Sequence, residues 1–76
     1  MLKSVTFEVT GEQQLHCAAC EQRVARLLNT VEGVGQVRAQ ADRQRIDVLF
    51  DTAVVEPRSI AERLSEAGYE TEVAAP

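Results

Sequence analysis

An α+β sandwich with the element order β-α-β-β-α-β is predicted by three features of the sequence. Four short segments alternate apolar and polar residues. Two segments between them carry apolar residues at helical spacing, and turn-forming residues separate the pieces. At 76 residues the chain is expected to form one small domain spanning 1–76, near the lower limit for a core that holds without staples.

The first strand is read from Val5, Phe7 and Val9 on one face with Thr6 and Glu8 on the other. A polar connection, Thr10-Gly11-Glu12-Gln13-Gln14, leads to the segment Leu15-His16-Cys17-Ala18-Ala19-Cys20. Cys20, Val24, Leu27, Leu28 and Val31 then form one helical stripe, with Glu21, Gln22, Arg23 and Arg26 on the polar side. Glu32-Gly33 is the expected stop, glycine suiting the left-handed position past a helix end. Val37, Ala39 and Ala41 predict a second strand and Ile46, Val48 and Phe50 a third, joined as a hairpin through Asp42-Arg43-Gln44-Arg45. Glu56-Pro57 opens the second helix, since proline suits the first helical position. Its inner face is read as Ile60, Leu64 and Ala67, and Gly68 ends it. Tyr69, Thr71 and Val73 predict a last short strand. Every strand has one apolar and one polar face, as a sheet covered on one side requires. The prediction is therefore a ferredoxin-like βαββαβ sandwich, a four-stranded antiparallel sheet with two helices on one face.

Composition narrows the function. A net charge of −4 and a pI near 4.8 argue against a nucleic-acid partner, which a positive face would serve. Phe7, Phe50 and Tyr69 are the only aromatic residues, and none lies on a polar strand face where bases could stack. No stretch approaches the ~18 apolar residues of a membrane span, so no membrane insertion is expected. Met1-Leu2-Lys3-Ser4 leads straight into the strand pattern, so no signal peptide is expected and the cytoplasm is the expected compartment.

The only two cysteines and the only histidine lie together in the segment 15–20. A lone cysteine is most often a small buried hydrophobe. Cys-Ala-Ala-Cys at a helix start, with no other cysteine in the chain, asks for more. A disulfide between Cys17 and Cys20 would close too short a loop to stabilise the fold much. Two chemistries remain: paired thiolates that grip a soft metal ion, or a dithiol that cycles with its disulfide. The free N–H groups and positive dipole end of a helix start favour thiolate. Soft sulfur ligands select Cu(I) and, among commoner ions, Zn(II). A structural zinc site would want four protein ligands, whereas two cysteines suffice for Cu(I) at low coordination number. Copper is therefore favoured, with Zn(II) or another soft divalent metal as the alternative. His16 is read first as a surface residue and second as an accessory ligand, because imidazole suits both metals.

With these residues in place the chain resembles the heavy-metal-associated domain family, the module of copper chaperones and of the N-terminal regions of metal-transporting P-type ATPases. The family carries Met-x-Cys-x-x-Cys between its first strand and first helix, where this chain has Leu15-His16-Cys17-Ala18-Ala19-Cys20, and the likeness runs through Ala67-Gly68-Tyr69. The resemblance implies that Cys17 and Cys20 are metal ligands and that Tyr69 lies beside the site to shield or tune the ion. It also implies that Leu15, in place of methionine, packs inward to support the loop, a nearly volume-conserving exchange. One departure is an apparent insertion, Glu12-Gln13-Gln14, between Gly11 and Leu15, which lengthens the binding loop and adds a negative charge beside it.

The implied function is binding of Cu(I) and its transfer to a metal-transporting P-type ATPase or its metal-binding domain, with a metal-bridged homodimer as a further association. No substrate bond changes, so the chain is not expected to be an enzyme. Zn(II), Cd(II) or Hg(II) binding on the same fold is the alternative; mercury-resistance proteins share the Cys-Ala-Ala-Cys core. A thiol-disulfide oxidoreductase is the rival from another class, but the aromatic and Pro or Gly flanks usual around its motif are missing here. Arg23 and Arg26 on the first helix, and Glu62 and Glu66 on the second, are read as solvated faces, with a docking surface as the sharper alternative.

Overall fold

A computed structural model of the chain describes residues 1–16 and 18–74. Its elements are β1 (Leu2–Val9), α1 (Ala18–Asn29), β2 (Val34–Gln40), β3 (Arg45–Asp51), α2 (Pro57–Glu66) and β4 (Thr71–Val73). The strands form one antiparallel sheet in the order β2-β3-β1-β4. The helices pack on one another, α1 against β2 and α2 against β4, which is the predicted ferredoxin-like sandwich.

The period-two pattern decides which face is covered. Phe7 pairs with Ile46, and Val5 with Val48, across the two central strands. Phe7, Ile46, Val48 and Phe50 are buried with Val24 and Leu28 of α1 and Ile60 and Leu64 of α2. The opposite face stays polar: the Thr6 hydroxyl donates to Asp47 at 2.6 Å and the Gln40 amide to the same carboxylate at 3.3 Å. β1 starts earlier than the alternation suggests, because its backbone ladder with β3 continues to Leu2 opposite Asp51. β4 is shorter than predicted and lies at the sheet edge, so Val73 remains 58% exposed although it pairs opposite Phe7.

Helix ends account for three corrections. α1 stops at Asn29, because the Thr30 hydroxyl and N–H both turn back to the Leu27 carbonyl, at 2.6 and 3.2 Å. Gly33 is therefore not the helix cap. It occupies the third position of the turn closed by Val34 N–H to the Val31 carbonyl at 3.2 Å, with φ +94°, as a type II turn needs. Within α1, Leu27 is only half-buried and leaves the core stripe to Val24 and Leu28. In α2, Ala67 is exposed at the C-cap, and Ala61 packs on the core instead. Gly68 does end α2: at φ +98° it donates to the Ser65 carbonyl while Tyr69 N–H returns to the Leu64 carbonyl, both at 2.9 Å. This Schellman pairing turns Tyr69 inward, where it is buried with Leu64.

Asp51 lies at the end of the sheet remote from the cysteine segment, opposite the start of β1. Its carboxylate accepts from Ala53 N–H at 2.9 Å and from the Met1 ammonium at 3.1 Å, and these partners, the Ala53 bond first, hold it below the usual carboxylate range.

Two predictions follow from these positions. A Cβ on Gly33 would meet Val54 at 2.9 Å and Val55 at 3.0 Å, whereas one on Gly35 meets only the Leu49 carbonyl at 3.6 Å. Gly33→Ala should lower stability in urea unfolding by at least ~1 kcal/mol, the cost of a left-handed non-glycine residue, and Gly35→Ala should stay within ~0.5 kcal/mol. Because Asp51 titrates lower in the folded state, its contribution is present above the unfolded pKa and is lost as pH falls through the folded one. The stability gap between wild type and Asp51→Asn should therefore be largest at neutral pH and narrow in acid, as thermal unfolding across pH would read.

Candidate metal site

The chain leaves the sheet after Val9, at the end of β1, and α1 begins at Ala18, so the cysteine segment lies at the entry to α1. Leu15 is 2% exposed and belongs to the core, as expected for the residue standing in place of methionine. His16 is exposed, Ala18 and Ala19 are exposed, and Cys20 is half-buried against the core in the first turn of α1. Cys17 lies outside the described residues. Among the described residues, no three His, Cys, Asp or Glu side chains converge as a metal cage.

The loop between β1 and α1 is held from the α2–β4 side. Thr10 N–H donates to the Glu70 carbonyl at 2.9 Å, and a Cβ on Gly11 would touch the Glu70 side chain at 3.0 Å. Gln13 lies directly over Gly68, so that any side chain at Gly68 would overlap its amide. Glu12 and Gln13, both exposed, line an open cleft with Gly68 and Glu70, next to buried Tyr69.

On the other side the loop meets the β2–β3 turn. The Gln44 side-chain amide bonds both polar groups of the Leu15 backbone: Oε1 accepts from Leu15 N–H at 2.9 Å, and Nε2 donates to the Leu15 carbonyl at 2.6 Å. The Glu21 carboxylate accepts from Ala41 N–H at 2.7 Å. Sequence reasoning had no signal for either contact. Gln44 reads as one polar residue in a polar hairpin turn, and Glu21 as part of a solvated helix face. On that outer face, Ala19, Gln22, Arg23, Arg26, Leu27 and Thr30 line an open groove that begins at the cysteine segment. No helix among the described residues is long and apolar enough to cross a membrane.

If Leu15 is the support that holds the loop, its truncation should be felt in the whole fold. Leu15→Ala should cost about 2–5 kcal/mol in urea unfolding, while Leu15→Met, a nearly volume-conserving exchange, should cost less than ~1.5 kcal/mol.

Comparison with known proteins agrees with this arrangement. The heavy-metal-associated domain model matches residues 13–70. The copper-transporting ATPase RAN1 of Arabidopsis thaliana is 35% identical over 74 residues, 97% of this chain, although the chain spans only 7% of that protein. The copper chaperone CopZ of Enterococcus hirae is 33% identical over 88% of this chain and 93% of its own length. The periplasmic component of mercuric transport from Shigella flexneri is 31% identical over 93% of this chain and 75% of its own. Oxidized MerP from Ralstonia metallidurans CH34 superposes with a TM-score of 0.86 at 28% identity, covering 99% of this chain and 100% of MerP. The chain belongs to the heavy-metal-associated domain family.

Proposed function

We propose that this chain binds Cu(I) between the thiolates of Cys17 and Cys20 and passes it, in the cytoplasm, to a metal-transporting P-type ATPase or its metal-binding domain. The observation that carries the reading is Cys20 in the first turn of α1, just past a buried Leu15, on the fold of a metal-binding family. Cu(I) is the cargo. Two sulfurs satisfy it without enclosing it, so a thiolate of the partner can attack the ion. A three-coordinate bridge forms, one cysteine of this chain leaves, and a second thiolate of the partner then displaces the other. No bond of a substrate molecule is made or broken, so the chain acts as a carrier and not as an enzyme.

Other residues take supporting parts in the proposal. His16 is exposed beside the pair and offers an imidazole as an accessory ligand. Tyr69 shields the ion from the α2–β4 side. The groove carrying Arg23 and Arg26 receives an acidic surface of the partner, where charge acts mainly on the rate of encounter. A second reading is binding of Hg(II), Zn(II) or Cd(II) by the same pair, and the likeness to a mercuric transport protein favours Hg(II) among these.

The test is an anaerobic titration of the reduced chain with Cu(I), Zn(II) and Hg(II), each against a competing chelator. Tight one-to-one Cu(I) binding with weak Zn(II) binding is expected. Cys17→Ser or Cys20→Ser should each weaken Cu(I) by more than about a hundredfold, beyond the 10–100-fold that loss of an outer partner brings. Tighter binding of a divalent ion would move the function to that metal, and no tight binding of any would move it to dithiol redox chemistry.

A further inference from the structure

Leu15, two residues before Cys17, and Glu21, directly after Cys20, are both hydrogen-bonded to one short connection, the turn at residues 41–44. At the Leu15 end the Gln44 amide fills donor and acceptor roles at once, at 2.9 and 2.6 Å, and its Nε2 also donates to the Ala41 carbonyl at 2.6 Å. At the helix end Glu21 holds Ala41 N–H at 2.7 Å. The turn is itself fixed to the sheet, because the Gln44 carbonyl accepts from Val9 N–H at 2.9 Å.

The backbone at Gln44 makes its identity informative. Among the described residues it is the only non-glycine residue at positive φ, +53°. Glycine or asparagine would meet that conformation more readily. Turn geometry therefore does not ask for glutamine. The reach of its side chain to Leu15 does.

We propose that Gln44 is a positioning residue for the Cys17–Cys20 pair, acting through the backbone of Leu15. This rests on the reading of the two cysteines as converging ligands. A side-chain amide that bonds both N–H and C=O of one residue copies a strand pairing, and it holds the peptide planes on both sides of Leu15. With Glu21 held by the same turn, the two ends of the ligand segment cannot drift apart independently. Both flanks of the ligand segment are thus held before any ion binds, which lowers the ordering cost of binding.

The test uses Gln44→Asn and Gln44→Gly in the full chain. Asparagine keeps the amide but is one methylene too short for Leu15, and both residues suit the left-handed backbone. Two measurements are made on reduced protein: hydrogen exchange of the Leu15 amide by NMR, and affinity for phenylarsine oxide, which needs two converging sulfurs. Faster exchange at Leu15, with about tenfold weaker arsenical binding in both variants, is the expected result. If Gln44 only shapes the turn, both variants will bind as wild type does, and the proposal is overturned. Unchanged exchange at Leu15 overturns it as well. A wild-type chain that takes the arsenical but not Cu(I) would remove the copper reading and leave the positioning role standing. One that takes neither would overturn both.

Discussion

Burial of one face of the two central strands is the constraint from which the rest of this structure follows. β1 and β3 present Phe7, Val9, Ile46, Val48 and Phe50 to the same side, and α1 and α2 cover them together with Leu15, Val55 and Tyr69. A slip of one residue in their pairing would turn the apolar side chains of the slipped strand to the solvent face, so the register is strongly specified. Once both helices lie on that face, α1 must begin close to the point where β1 ends. The connection between them, which carries the cysteines, is thereby brought to one end of the sandwich.

That connection does not rely on its own sequence for its shape. It is held by Leu15 from below, by Glu70 and Gly68 from the α2–β4 side, and by Gln44 from the β2–β3 turn. The same end of the molecule also receives Tyr69, carried inward by the glycine cap of α2. These neighbours lie behind the segment, while His16, Ala18 and Ala19 are exposed on its outer side.

Much of this was legible beforehand. Period-two alternation located all four strands, and the helical stripe through Val24 and Leu28 located α1. Pro57 marked the start of α2 and Gly68 its end, because each residue has a backbone requirement that a helix terminus meets. The inward packing of Leu15 came from family resemblance. The errors fell where local rules compete with tertiary ones. Gly33 has the conformation expected of a cap, yet Thr30 ends the helix first. Leu27 and Ala67 fit the helical spacing, yet they lie at the margins of the faces that the sheet covers.

The sequence by itself determined the element order, the covered face of the sheet and the pairing of two thiols with a helix start, since these depend on periodicity and spacing along the chain. Only the tertiary structure decided what holds the cysteine segment. Gln44 lies 29 positions from Leu15, and Glu21 lies 20 positions from Ala41. Glutamine in a hairpin turn carries no pattern that names its partner. Its amide finds the Leu15 backbone because sheet register and helix packing bring the two together, and that proximity is a property of the fold, not of any local stretch of sequence.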